Sequence, residues 1–338
     1  MGNLLKGRVA IITGSGQGIG KDLAVWMAAQ GCKVITNNRK KGSSMQAHEG
    51  KTVLLNEDDK KKLSAIIGDA ESAAEAVNTN PDVIAAGGEA YPVYADITKL
   101  EDCKKLVDTA IEKWGRLDIL VNNAAATWTG NIKEMKPENW EVCVRSKLDS
   151  SFYLIYYALP HMVRQHYGRI LLASSEGQLG LAGMCAYSAA CGGVAAMTRG
   201  AAQDLAEDGI CVNAYTPNAG TRSWFNMLAE YRAEGIPPEA IEAGAPAAQK
   251  HPPERMIPVL GYMCAEEFTA SGLVVKLGAD GEVSLWTNMD KYNAMFKDLW
   301  KDGAWTVEEL RERMPKELLK DVQYTTSTLA VNKGSYEE

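Results

Sequence analysis

The 338 residues predict an α/β fold, a doubly wound parallel sheet with helices on both faces. Three observations carry that prediction. Short apolar runs alternate with helix-length amphipathic segments, which implies parallel pairing through right-handed crossovers. The runs are apolar throughout, as strands covered on both faces require. The first run ends in a cluster of glycines that opens a helix.

In chain order, "GRVAIITG" forms the first strand, "GKDLAVWMAAQG" the helix after it and "KVITNN" the second strand. Further strands are expected at "AYPVYAD", "LDILVNNA", "GRILLASS", "ICVNAYTP" and "SGLVVKLGA". Helical patterns over 100–115, 137–166 and 187–207 separate them. Residues 1–286 read as one domain of this kind. Three segments exceed its plan: an insertion after the second strand (41–68, with the charge-dense "NEDDKKK"), an Ala-, Glu- and Pro-rich stretch (222–253) placed like a substrate lid, and a helical C-terminal extension (287–338). Thr306 and Glu309 are spaced as a capping box in that extension.

A net charge of −7 argues against nucleic acid or an anionic membrane surface as the partner, leaving a small molecule. No apolar run reaches the length of a membrane span. The start "MGNLLKGRVAIITG" lacks a secretory pattern, and Lys6 stands where a myristoylation motif needs Ser or Thr. Seven cysteines without a C-x-x-C pair fit reduced thiols, and the expected location is cytoplasmic. Four scattered histidines form no metal-ligand cluster, so no metal is expected.

"TGSGQGIG" places Gly14, Gly16, Gly18 and Gly20 directly after the first strand, with Gln17 and Ile19 between them. Glycines there let the backbone approach a pyrophosphate at a helix N-terminus. The second strand ends in Asn37, Asn38, Arg39 and Lys40. An acid would accept hydrogen bonds from a ribose 2′-hydroxyl. Two cations instead favour a 2′-phosphate, so NADP is the expected cofactor and NAD the alternative. The insertion beyond them reads as a solvated surface segment, with a flap over the adenosine end of the cofactor as the alternative.

These motifs resemble the short-chain dehydrogenase/reductase family over roughly residues 5–286, which implies a Rossmann-type fold and hydride transfer between a nicotinamide and an alcohol or ketone. "ADIT" resembles the family's adenine-contacting pair at Asp96 and Ile97. "NNAA" resembles its "NNAG", which would put Asn123, Ala124 and Ala125 along the cofactor cleft. "PNAGTR" and "KLGADGEVSLW" resemble the hydroxyacyl-CoA dehydrogenase domain of multifunctional β-oxidation enzymes. That branch would place Pro217 and Ala219 at the cofactor and implies CoA thioesters or similarly bulky hydroxy compounds as substrates.

"SS…YSAA" resembles the family's catalytic segment, with Tyr187 as the proton donor and acceptor. Ser174 lies the family's thirteen residues before Tyr187 and is preferred. Counting forward from "GRI" selects Ser175 instead. The family keeps a lysine four residues after the tyrosine, and this chain has Cys191. A unit charge about 6 Å away at an effective dielectric of about 20 is worth roughly 3 kcal/mol, so its loss is serious. Where the family has an asparagine on the preceding long helix, "VRSKLDS" has Lys147. Lys147 is therefore expected to replace the lost charge, the alternative being a solvated lysine paired with Glu141 or Asp149. Trp128, Gln178, Met184 and Trp224 are candidate substrate contacts. The resemblance implies a homo-oligomer, dimer or tetramer, through the two long helices. Two other functions compete: a silent subunit in a hetero-oligomer with an active homologue, and a reductase of an activated C=C or C=N bond.

Overall fold

The computed structural model describes residues 3–42, 55–233, 235–285, 306–313 and 316–317. The chain divides into two compact units, Met1–Trp286 and Thr287–Glu338. In the first, strand β1 (Val9–Ile12) leads through the glycine loop into helix α1 (Gly18–Ala29) and strand β2 (Lys33–Asn38). Helices α2 (Glu57–Ile66), α3 (Ala70–Asn78) and α4 (Pro81–Ala86) precede β3 (Glu89–Tyr94). Helix α5 (Leu100–Trp114), strand β4 (Ile119–Asn122), helices α6 (Pro137–Val144) and α7 (Ser150–Gln165) and strand β5 (Gly168–Ala173) follow. Next come α8 (Cys185–Asp204), β6 (Ile210–Asn218), α9 (Arg222–Ala233), α10 (Pro238–Gly244) and α11 (Ile257–Tyr262). Strands β7 (Val274–Gly278) and β8 (Val283–Leu285) close the unit.

These strands form one sheet in the order β3-β2-β1-β4-β5-β6-β7-β8. The first seven are parallel, which bears out the predicted α/β class. The addition is β8, which turns back antiparallel on β7 through Gly281, at φ 107°. The order reverses between β1 and β4, so the crevice outside the carboxyl ends of these strands is where such folds bind ligands. One apolar core lies under α1 and α11, and the other lies between the sheet and α5, α7 and α8.

The long helix expected over 137–166 is two helices joined by a single π turn, Arg145–Asp149. Serine hydroxyls intrude on its carbonyls: Ser146 Oγ donates to Val142 O (2.6 Å) and Ser151 Oγ to Lys147 O (2.6 Å). Such turns often stand at functional sites.

The insertion departs from a solvated segment. Its residues 43–54 lie outside the described residues, but Leu55 and Leu63 are buried in a third core with Trp224, Phe225, Leu228, Ala229 and Ile241. The charges of "NEDDKKK" fill the first turns of α2, and Leu63, Ile66 and Ile67 of its later turns supply the apolar contacts that the charge density obscured. In the second unit, helix α12 (Val307–Arg313) carries the expected capping box: Thr306 N–H donates to Glu309 Oε2 (2.8 Å) and Glu309 N–H to Thr306 Oγ1 (3.2 Å). Most of the extension lies outside the described residues. No helix among the described residues is long and apolar enough to cross a membrane.

Candidate active site

The glycine loop is shaped by contacts that leave no room for side chains. A Cβ on Gly14 would lie 2.9 Å from Ala124 Cβ, and one on Gly20 would lie 2.6 Å from Gly14 O. A Cβ on Gly16 would meet Asn38 Oδ1 at 2.0 Å and Asp69 Cα at 2.5 Å. Gly14 (φ 63°) and Gly18 (φ 50°) also hold left-handed backbone. At Gln17 the side chain does not cap α1, so the first N–H groups of the helix remain open toward the loop. Its Oε1 is buried without a hydrogen-bond partner among the described residues. An open helix N-terminus beside a side-chain-free cradle fits a dinucleotide pyrophosphate. Ile19 packs on the core beneath the loop.

Thr13 ties this loop to its neighbours. Its Oγ1 donates to Asn122 Oδ1 (2.7 Å) and accepts from Asn123 and Ala124 N–H, both at 3.0 Å. Asn123 Oδ1 accepts from the buried Tyr215 hydroxyl (3.0 Å). Asn122 Nδ2 then donates to Ser150 Oγ (2.9 Å) and Ser151 Oγ (2.8 Å), the hydroxyls that hold the π turn. Sequence reasoning missed Thr13, Asn122 and Tyr215, although Thr13 and Asn122 stand inside motifs that it used.

Asn38 is buried at the end of β2, while Arg39 and Lys40 are exposed beyond it. Asp69, fifty-odd residues from the loop in sequence, stands beside Gly16, where its carboxylate caps α3 by accepting from Ser72 N–H (3.0 Å). No local pattern announces that approach. Asp96 accepts from Thr98 N–H (3.1 Å) and Oγ1 (2.8 Å), and Ile97 and Ala219 are buried in the two main cores. Ala125 is exposed and Pro217 half-buried.

At the other end of the crevice stand Tyr187 and Cys191 on α8 and Lys147 in the π turn. Lys147 is only 3 % exposed, and its ammonium lies 5.1 Å from the centroid of the Tyr187 ring. The alternative partners do not take it. Glu141 pairs with Arg145 (3.4 Å), and no carboxylate among the described residues pairs with Lys147. Burial pushes the Cys191 thiol above its ordinary range, opposed by the nearby Lys147 ammonium and Tyr187 side chain. Lys147 thus faces both the tyrosine and the residue standing in the family lysine's place.

The two serines point differently. Ser174 is 2 % exposed, and its Oγ donates to Cys191 O (3.0 Å), anchoring β5 to α8. Ser175 accepts from Gly177 N–H (3.1 Å) on the side of the loop that Tyr187 occupies. A Cβ on Gly177 would touch Tyr187 ring carbons at 3.2 Å and Ser175 Oγ at 3.5 Å. Ser175 thus shares the neighbourhood of Gly177 with the Tyr187 ring, while the spacing-preferred Ser174 is turned onto the α8 backbone.

Among the candidate substrate contacts, Trp128 packs on Gly130, whose N–H donates to Gly183 O (2.8 Å), so the Trp128 loop is joined to the loop carrying Met184. Gln178 and Met184 are half-buried there. Trp224 does not flank an open entrance, because it is 9 % exposed within the core shared by α2 and α9.

The family described as short chain dehydrogenase matches residues 56–227. The chain is 29 % identical over 281 residues to a 3-oxoacyl-(acyl-carrier-protein) reductase of Synechocystis sp., covering 80 % of this chain and 98 % of that one. It is 31 % identical over 274 residues to the peroxisomal multifunctional enzyme type 2 of Mus musculus, covering 81 % of this chain but only 32 % of that longer protein. An uncharacterized oxidoreductase of Thermotoga maritima is 32 % identical over 238 residues, covering 70 % of this chain and 80 % of that one. The crystal structure of a short chain dehydrogenase from Mycobacterium avium superposes with a TM-score of 0.70 at 25 % identity, covering 95 % of this chain and 97 % of that one.

Proposed function

The chain belongs to the short-chain dehydrogenase family, and on that premise we propose that it is an NADP(H)-dependent oxidoreductase interconverting an alcohol and a ketone on a bulky acyl thioester. The observation that carries the reading is the buried Lys147 ammonium 5.1 Å from the Tyr187 ring centroid. Tyr187 gives its hydroxyl proton to the substrate oxygen, or takes it, and Ser175 donates a hydrogen bond to the same oxygen. A tyrosinate is stabilised by a cation within a few ångströms whichever helix delivers it, so Lys147 does the work that Cys191 cannot. The glycine loop, Asn123 and the open end of α1 would hold the dinucleotide, which when bound would supply or accept the hydride.

Ketoacyl and hydroxyacyl thioesters as the substrate class rest on the likeness to the reductase of Synechocystis and the multifunctional enzymes. Arg39 and Lys40, exposed at the end of β2, support a 2′-phosphate. Asp69 beside Gly16 supports the second reading, NAD, because its negative charge disfavours that phosphate. A homo-oligomer is supported by the exposed apolar residues of the long helices, including Phe152 (54 %), Tyr156 (56 %) and Trp140 (43 %).

Nicotinamide absorbance on a panel of hydroxyacyl and ketoacyl thioesters, run with both dinucleotides, tests the proposal. Turnover with a kcat/KM preference for NADP(H) is expected. Tight dinucleotide binding without turnover, with a homologous chain co-purifying, would replace it with a silent subunit. Turnover confined to C=C or C=N substrates would replace it with a reductase of those bonds.

A further inference from the structure

In this chain the insertion after β2 and the lid after β6 are in contact. Leu55 and Leu63 share a core with Trp224, Phe225 and Leu228 of α9, all buried. Beside that core Arg232 donates to Asp59 Oδ2 at 2.6 Å, and the two side chains are only 24 % and 13 % exposed. The far end of α2 meets the glycine loop. A Cβ on Gly68, two residues past the helix, would lie 2.6 Å from Gly16 O, and Asp69 abuts Gly16 directly. Ten residues of α helix extend about 15 Å, and α2 packs on the lid core along that length, from Leu63 to Ile66, while the turn after it, Gly68 and Asp69, meets the glycine loop. Beside it opens a pocket of about 580 Å³, lined by Gly42, Lys60, Leu63, Ser64, Ile67 and Asp69 among others.

We infer that α2 is a strap across the adenosine end of the cofactor crevice, latched to the substrate lid by Asp59–Arg232, and that dinucleotide enters and leaves only when this latch opens. This inference rests on the proposed use of a dinucleotide at the glycine loop. Three features separate a latch from a fixed wall. The shared core is small and detached from the two main cores, so it opens without disturbing them. Its ion pair joins two segments 173 residues apart in sequence and adds a polar tie between lid and strap at the edge of the apolar contact. The strap also bears directly on Gly16, the loop position closest to Asn38, so its movement changes the space offered to the adenosine end. Substrate held under the lid thereby slows dinucleotide exchange, and dinucleotide under the strap steadies the lid.

The test is a stopped-flow measurement of NADPH and NADH association and dissociation, read by nicotinamide fluorescence. It compares the unmodified chain, Asp59→Asn, Arg232→Gln and the reversed pair Asp59→Arg/Arg232→Asp. A latch predicts that each single variant speeds both association and dissociation about fivefold while the dissociation constant moves less than threefold. The reversed pair should recover most of the difference. A merely structural contact would lower Tm and weaken binding without speeding association. Rates in both single variants equal to those of the unmodified chain, with binding intact, overturn the latch alone. Absence of any fluorescence change with either dinucleotide at millimolar concentration overturns the latch together with the proposed function. A second readout is tryptic cleavage at Lys60, Lys61 and Lys62. Added NADPH should slow it in the unmodified chain and protect less in Asp59→Asn, and equal protection in both would count against the latch.

Discussion

The two ends of the crevice are built by different rules. At the glycine loop the backbone makes the site: Gly14, Gly16 and Gly20 each meet a neighbour closer than 3 Å once a Cβ is added. At the tyrosine end the side chains make it: Tyr187 comes from α8, Lys147 from the π turn and Ser175 from the loop after β5. A backbone contact is local and fixed to one chain position, whereas a positive charge acts through distance and tolerates a change of donor. The glycine pattern is intact here, while at the tyrosine end Cys191 stands where the resemblance expects a lysine and a different lysine, Lys147, lies beside the Tyr187 ring.

The sharpest way to break this comparison is to move the charge again. Lys147→Ala should lower kcat about 100-fold, equivalent to the roughly 3 kcal/mol of a unit charge at about 6 Å. Restoring an ammonium at the family position in the double variant Lys147→Ala/Cys191→Lys should recover at least tenfold of that loss in a steady-state assay. Turnover of Lys147→Ala equal to the unmodified enzyme would show that this end does not depend on the charge.

The backbone end should be unforgiving. Gly16→Ala puts a methyl 2.0 Å from Asn38 Oδ1 and 2.5 Å from the Asp69 backbone. Dinucleotide affinity, titrated by fluorescence, should fall at least tenfold, and Tm should drop with the overpacking. A Gly16→Ala protein that binds with undiminished affinity would mean that the loop has more freedom than its contacts allow.

A smaller effect is expected on α1, just beyond the loop. Burial, reinforced by Glu254, raises the Asp22 carboxyl to about 6 from its ordinary value near 4. The unfolded chain releases this proton first, so stability falls as pH rises from about 4 to 6 and is level above that. Asp22→Asn should therefore be more stable by about 1–2 kcal/mol at pH 7, after discounting for partial exposure, and indistinguishable below pH 4. Urea denaturation at the two pH values decides it; an unchanged midpoint at pH 7 would be the contrary result.

The smallest effect separates the serines. Ser174→Ala should cost about 1 kcal/mol of stability through the lost bond to Cys191 O and leave kcat within threefold. Ser175→Ala should leave Tm nearly unchanged and lower kcat. The opposite pattern would return the catalytic role to Ser174.

Much of this was legible in the chain because it depends on near neighbours. Apolar runs of strand length, the glycines after β1 and the Thr306–Glu309 cap depend on periodicities and spacings of a few residues. The α/β class, the parallel pairing and the loop before α1 therefore followed from them. Cys191 and Lys147 were also visible as two departures from one family pattern. What the linear order withheld needed distances between remote segments. The charge run of α2 concealed the apolar side that packs on the lid, because a lone helix does not reveal what covers it. Asp69 joins Gly16 only after the insertion has folded back. Ser174 and Ser175 differ by one position, yet the extended chain sends successive side chains to opposite sides, so only the placed strand decides which meets Tyr187. By itself the sequence determined the layers and the glycine loop before α1, and it named Tyr187, Cys191 and Lys147 as the residues to compare. The tertiary structure alone decided which way Ser174 and Ser175 turn, where the ammonium of Lys147 ends, and that insertion and lid meet, because each is a distance between side chains that no local interaction sets.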